Sequence, residues 1–133
     1  MQQLIKKLLG PKSLLFLALA YTVFITIGLL LPSQGILPSQ DKIPFDKLAH
    51  VIISFGLVII WLLFFYTKER KMMSISTIYA VFGLCLLYGI IIEVLQHVLT
   101  TYRQADTFDV VANIIGLLLG VGLFRKIKDK IFN

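Results

Sequence analysis

The chain alternates long apolar runs with short polar connectors, and four of the runs approach the length of a membrane span. Ser13 to Leu31 is nineteen residues without a charge, and Leu48 to Thr67 has His50 as its one acidic or basic residue. Ser74 to Ile92 has none, whereas Asp109 to Phe124 is shorter and opens on an acid. A helix rising about 1.5 Å per residue needs roughly 20 residues to cross a hydrocarbon core. The first three runs reach that length directly, and the fourth reaches it only by taking in the residues around Asp106. The pattern predicts an all-α, polytopic membrane protein with four transmembrane helices, at roughly 13–31, 46–67, 74–99 and 107–124, forming a single domain over residues 1–133.

Composition agrees, since 58% of the 133 residues are hydrophobic and only 15% charged, with a mean hydropathy of +0.89, well above soluble domains. Lys6, Lys7 and Lys12 precede the first run as they would in a signal peptide. The run is too long for such a peptide's apolar region, and no small-residue cleavage site follows it before "LPSQGILPSQ". It therefore reads as a retained first helix.

Basic residues then set the orientation. Lys6, Lys7 and Lys12 precede the first helix, Lys68, Arg70 and Lys71 separate the second from the third, and Arg125, Lys126, Lys128 and Lys130 follow the fourth. By the positive-inside rule these ten lie in the cytoplasm, and both termini with them. The outer side keeps Lys42, Lys47 and Arg103 against Asp41, Asp46, Glu93, Asp106 and Asp109. The net charge of +6 is thus an orientation signal for a protein of the cytoplasmic membrane, contacting membrane lipids, and no nucleic-acid partner is expected. A basic inner rim also attracts anionic headgroups. Cys85 stands alone in an apolar run, which excludes a disulfide framework and reads as packing.

With that topology the polar groups gather at the outer end. Asp46 and His50 open the second helix, Glu93, Gln96 and His97 close the third, and Asp106, Asp109 and Asn113 open the fourth. Asp46, His50 and Ser54 are spaced by four, as are Glu93 and His97, and Asp109 and Asn113; Gln96 is three beyond Glu93. Each helix therefore carries one polar stripe. On the fourth helix the stripe continues as Gly116 and Gly120, a small-xxx-small seam for close packing, and Gly89 extends the stripe below Glu93. Ionisable side chains within a membrane face the bundle interior or a wet cavity and pair with one another. Arg103 is the expected cation for Glu93, Asp106 or Asp109.

Simpler roles compete at several positions. Asp46 is a candidate N-cap after the turn-like "KIPFDK", and Asp106 or Asp109 is one for the fourth helix. His50 and His97 each fit as hydrogen-bonded interfacial histidines. Glu93, roughly two turns inside a helix end, is harder to explain without a network or a function.

Three chemistries fit these residue types. His50, Glu93 and His97 match a two-histidine, one-carboxylate metal site, but no HExxH or other ligand motif of fixed spacing is present, and neither a metal nor another cofactor is expected. Acid/base chemistry would use Glu93, His50 or Asp109 as catalytic candidates, with Arg103 holding a phosphate. Ligand binding without catalysis would use the same groups on a headgroup.

The blocks "FDKLAHVIISFGL" (45–57), "YGIIIEVLQHV" (88–98) and "RQADTFDVVANIIGLLLG" (103–120) resemble the VanZ-like family, whose pattern runs DKxxH, ExxQ, RxxDxxDxxxNxxGxxxG. The match carries Asp46, Lys47, His50, Glu93, Gln96, Arg103, Asp106, Asp109, Asn113, Gly116 and Gly120, and leaves out His97. Val51 stands where an aromatic often follows the histidine. The resemblance implies a small bacterial membrane protein of the cell envelope, whose namesake lowers susceptibility to the lipid-tailed glycopeptide teicoplanin. The resemblance gives a phenotype and not a mechanism; the first expectation built on it is a binding site made of Asp46, Lys47, His50, Glu93, Gln96, Arg103, Asp106, Asp109 and Asn113, with a lipid-linked cell-wall precursor or a lipoglycopeptide as the partner. Two other expectations stand beside it: a structural, partner-binding protein whose polar residues form an interhelical network, and a membrane-embedded hydrolase or transferase.

Overall fold

The computed structural model describes residues 1–31, 44–69, 72–99 and 107–132, with backbone alone at 44–46 and 131–132. Every regular element among them is helical: α1 (Gln2–Leu8), α2 (Pro11–Leu30), α3 (Pro44–Lys68), α4 (Ile75–Leu99) and α5 (Thr107–Phe132). Helices α2 to α5 are long and apolar enough to cross a membrane. They are the four predicted spans, and α1 is an element the apolar pattern did not foresee.

Local chemistry explains the boundaries. Gly10, in extended backbone, is the N-cap of α2 and Pro11 its first residue, a position where the missing N–H costs nothing. The same Gly-Pro pair separates α1 from α2, and the Ser13 hydroxyl donates to the Lys7 carbonyl across the break at 3.0 Å. At the other end Leu31 is extended and Pro32 follows in sequence, which disfavours another helical residue. Ser74 caps α4, its Oγ accepting from the Thr77 N–H at 3.3 Å, and the Thr77 hydroxyl donates to Glu69 Oε1 at 3.1 Å, tying α4 to the end of α3. Two expected boundaries move. Helix α5 runs to Phe132 and not to 124, because the basic tail "RKIKDKIF" contains no glycine or proline to stop it. Asp46 falls inside the first turn of α3, which begins at Pro44, and so is not its N-cap.

Many apolar side chains of the spans face outward, among them Phe16, Phe24, Tyr79, Leu84, Val98 and Leu118. Such a surface suits acyl chains, where helices associate through close packing and hydrogen bonds more than through hydrophobic burial. The core is built from Ile25, Leu57, Val58, Leu62, Tyr66, Val81, Leu117 and Phe124. Helix α2 is tied to its neighbours by hydrogen bonds from Tyr21 Oη to the Ile53 carbonyl (2.9 Å), from Trp61 Nε1 to Thr22 Oγ1 (3.1 Å), and between Thr26 and Tyr88 (2.6 Å).

The most extensive interface joins α3 and α5. These helices are parallel and stay side by side along their length, from Lys47 against Asp109, through Ser54 against Asn113, to Tyr66 against Asp129. Glycine makes the approach possible. A Cβ on Gly116 would collide with the backbone carbonyl of Val51, and one on Gly120 with the Val58 side chain and, at 3.1 Å, with the Phe55 carbonyl. The small-residue seam expected of this helix is therefore the face that docks on α3.

A candidate polar site at one end of the bundle

Because successive spans reverse direction, the starts of α3 and α5 lie beside the ends of α2 and α4. Each contributes from one stripe. On α3, Lys47, His50 and Ser54 fall at i, i+3 and i+7; on α4, Gly89, Glu93 and Gln96 fall at i, i+4 and i+7; on α5, Asp109 and Asn113 lie one turn apart. His50, Ser54, Glu93, Gln96, Asp109 and Asn113 are all buried, with exposures between 2% and 6%, in a protein whose other buried residues are mostly apolar. Burying so many polar side chains is costly unless they satisfy one another.

Asp109 lies at the centre. Its Oδ1 accepts from Lys47 Nζ at 3.2 Å, and its Oδ2 lies 3.6 Å from His50 Nε2. The Lys47 side chain is about one-third exposed while that of Asp109 is buried, so the lysine brings its charge in from the rim, and its ammonium also sits 5.7 Å over the Phe108 ring. A carboxylate oxygen of Glu93 completes a group in which ligand atoms of His50, Glu93 and Asp109 all lie within 4.8 Å of one another. His50 Nε2 is fully enclosed and makes no hydrogen bond.

One turn deeper, Ser54 donates to Asn113 Oδ1 at 2.8 Å. The absence of a side chain at Gly89 leaves room for the same amide, whose Nδ2 lies 2.9 Å from where a Cβ would stand. Gln96 donates to the Leu29 carbonyl at 2.8 Å, which satisfies one of the acceptors left over at the end of α2. Three stripes and the end of a fourth helix thus meet in one buried polar cluster, within the first turns of α3 and α5.

Of the residues singled out from sequence, Lys47, His50, Glu93, Gln96, Asp109 and Asn113 are brought together. Asp46 belongs to α3 with its side chain outside the described residues, and Arg103 and Asp106 lie outside them altogether. Lys47 is one cation on Asp109; the pairing expected of Arg103, with Glu93, Asp106 or Asp109, lies outside the described residues. Asp109, the third residue of α5, uses its side chain between helices and is not the N-cap. The metal-capable trio is also different: His97 is exposed, and the third ligand beside His50 and Glu93 is Asp109. Ser54 and the Leu29 carbonyl extend the cluster. Spacing by four from His50 put Ser54 on the right face, whereas a backbone acceptor at the end of another helix leaves no trace in sequence.

A cavity of about 250 Å³ lies apart in the apolar middle of the bundle, between α2, α3 and α4, bordered by Thr22, Trp61, Val81, Leu84 and Tyr88. It offers little for a charged group.

Among known proteins, the family profile described as VanZ/LLP1 matches residues 5–132, nearly the whole chain. No curated protein and no solved structure matches it.

Proposed function

The chain belongs to the VanZ/LLP1 family, and from that premise we propose that it is a bacterial envelope protein that binds the headgroup of a lipid-linked cell-wall component or of a lipoglycopeptide at its polar cluster, and so alters susceptibility to teicoplanin. In this reading the protein sits in the cytoplasmic membrane with both termini inside, which turns the cluster outward. The ligand meets Lys47, His50, Glu93, Gln96, Asp109 and Asn113, joined by Asp46, Arg103 and Asp106.

The observation that carries the proposal is the burial of six polar side chains from three helices at one end of an otherwise apolar bundle. Transmembrane hydrogen bonds contribute only about 0.6 to 2 kcal/mol each. That is little return for desolvating a glutamate, an aspartate and a histidine together, whereas a headgroup site requires such groups. The position of Lys47, about one-third exposed at the rim, and the two helix N-termini favour an anionic ligand, phosphate above all.

The test is native mass spectrometry with lipid extraction on purified wild type and Glu93→Gln. A headgroup lipid or lipid-linked precursor that co-purifies with wild type and is lost from the variant is the expected result. Teicoplanin tolerance should fall in parallel for Glu93→Gln and Arg103→Ala, with both proteins still inserted. Tolerance retained in both would sink the proposal.

A second reading, in which the polar groups serve assembly, draws on the Ser54–Asn113 bond and the Gln96–Leu29 bond, both of which join helices without need of a ligand. It predicts that the same variants lose thermal stability in detergent. Intact stability with lost lipid binding would exclude it.

A further inference from the structure

We propose that His50, Glu93 and Asp109 form a binding site for one divalent first-row transition-metal ion, with Zn²⁺ and Mn²⁺ as the species to test. The proposal goes beyond the headgroup reading and does not depend on it. It stands on two independent features. The first is convergence: one nitrogen and two carboxylate groups, from three different helices, place their ligand atoms within 4.8 Å of one another. The second is the histidine itself, which is 97% buried, since its exposure is 3%, and points Nε2 into the cluster with no hydrogen-bond partner. A buried imidazole nitrogen without a partner is costly, and a metal ion is one of the few groups that would use its lone pair.

The geometry is close to what an ion requires. Ligands at about 2.0 to 2.2 Å in tetrahedral arrangement stand about 3.4 Å from each other. His50 Nε2 and Asp109 Oδ2 are already 3.6 Å apart, and a Glu93 carboxylate oxygen lies within 4.8 Å of both groups. Lys47 supports the same arrangement from outside: its bond to Oδ1 fixes the Asp109 carboxylate with Oδ2 toward His50, as partners of metal-bound carboxylates commonly do. Ligand type narrows the ion. Imidazole selects against Mg²⁺ and Ca²⁺, and two carboxylates with no thiolate select against soft Cu(I), which leaves Zn²⁺, Mn²⁺ and their neighbours. Two carboxylates also supply negative charge for a dication, one of them shared with the Lys47 ammonium. Three protein ligands leave at least one coordination position open, where a water or a phosphate oxygen would bind. His97, exposed on the same helix as Glu93, takes no part.

The test uses the full chain in detergent, with any affinity tag removed, stripped by chelator and lipid-extracted before titration with Zn²⁺ or Mn²⁺ alone. Metal per chain is measured by plasma mass spectrometry after desalting, and affinity by competition with a chromophoric chelator. The expected result is one ion per chain, with affinity lowered at least 100-fold in His50→Gln, Glu93→Gln and Asp109→Asn and unchanged in His97→Gln. If a variant fails to fold, zinc-edge X-ray absorption of the wild type decides, and should show one imidazole nitrogen with oxygen ligands. The proposal is overturned if stripped wild type takes up neither ion stoichiometrically, if the three variants bind as tightly as wild type, if His97→Gln loses the ion, or if the spectrum shows sulfur or two imidazoles. Because lipid is absent throughout, failure here leaves the headgroup reading untouched, and loss of lipid binding with metal retained would sink only that reading.

Discussion

Replacing Gly116 by alanine adds one methyl group at the point where α5 lies closest to α3. That methyl would strike the Val51 carbonyl oxygen, with the Val51 carbonyl carbon at 3.0 Å and the Phe55 nitrogen at 3.1 Å. All three are backbone atoms of a continuous helix, so no rotamer change relieves the collision and the two helices must separate. Overpacking of this kind costs about 1 to 3 kcal/mol, and a backbone obstacle belongs at the upper end. Alanine in place of glycine inside a helix returns about 1 kcal/mol, which leaves a net loss of about 2 kcal/mol. Gly122, six residues farther along the same helix, is the control, because a Cβ there meets nothing within 4 Å and Gly122→Ala should gain up to about 1 kcal/mol. Unfolding in mixed micelles by titration with a denaturing detergent, followed by circular dichroism, would compare the pair. The separation should also reach the polar end, since Asp109 and Asn113 lie on the same stripe as Gly116, and Gly116→Ala should lose bound headgroup lipid along with stability. Equal stabilisation of both variants would refute the close parallel docking of α3 on α5, and the register of the site with it.

Other consequences are smaller and separately testable. A double-mutant cycle on Ser54→Ala and Asn113→Ala should give a coupling of about 0.6 to 1.7 kcal/mol, typical of hydrogen bonds between membrane helices, and zero coupling would remove the bond that joins α3 to α5 below Asp109. Ser74→Ala should cost about 1 kcal/mol through loss of the α4 cap, measured by the same unfolding titration, with no change in lipid binding. Lys47→Met removes the ammonium beside Asp109 and should reduce headgroup binding more than it reduces stability, since that side chain is about one-third exposed; the reverse ordering would assign Lys47 to the fold. Cys85 is buried and should resist a membrane-permeant maleimide until the bundle is unfolded, as read by intact mass.

The four spans were legible because a bilayer imposes a length and a polarity that few other environments do, and apolar runs such as 13–31 have little other use. Their ends were less so. Helix α5 continues through Arg125 to Phe132 because helical continuation depends on backbone propensity, and a hydropathy pattern goes blind once the chain turns polar. Helix α1 escaped notice for the same reason, since Lys6 and Lys7 broke its apolar face. The faces, in contrast, followed from spacing alone: Gly116 and Gly120 met α3 as a docking seam.

The Lys47–Asp109 pair shows where one-dimensional reasoning stops. Lys47 is sixty-two residues from Asp109, so nothing along the chain pointed to it, and Arg103, the cation expected for Glu93, Asp106 or Asp109, lies outside the described residues. What decides the pairing is the parallel register of α3 and α5, which sets Lys47 level with Asp109 just as it sets Ser54 near Asn113. That register depends on how closely two backbones approach, and the approach depends on two glycines a full turn or more below the charges. The same dependence explains why the metal-capable set is His50, Glu93 and Asp109 and not His50, Glu93 and His97. Residues four apart on one helix share a face, but a site between helices is composed by the helices that face each other, and His97 lies one position round from the stripe of Gly89, Glu93 and Gln96 that α4 turns inward. A polar stripe therefore identifies which side chains enter the bundle, and the glycine seam determines which of them meet.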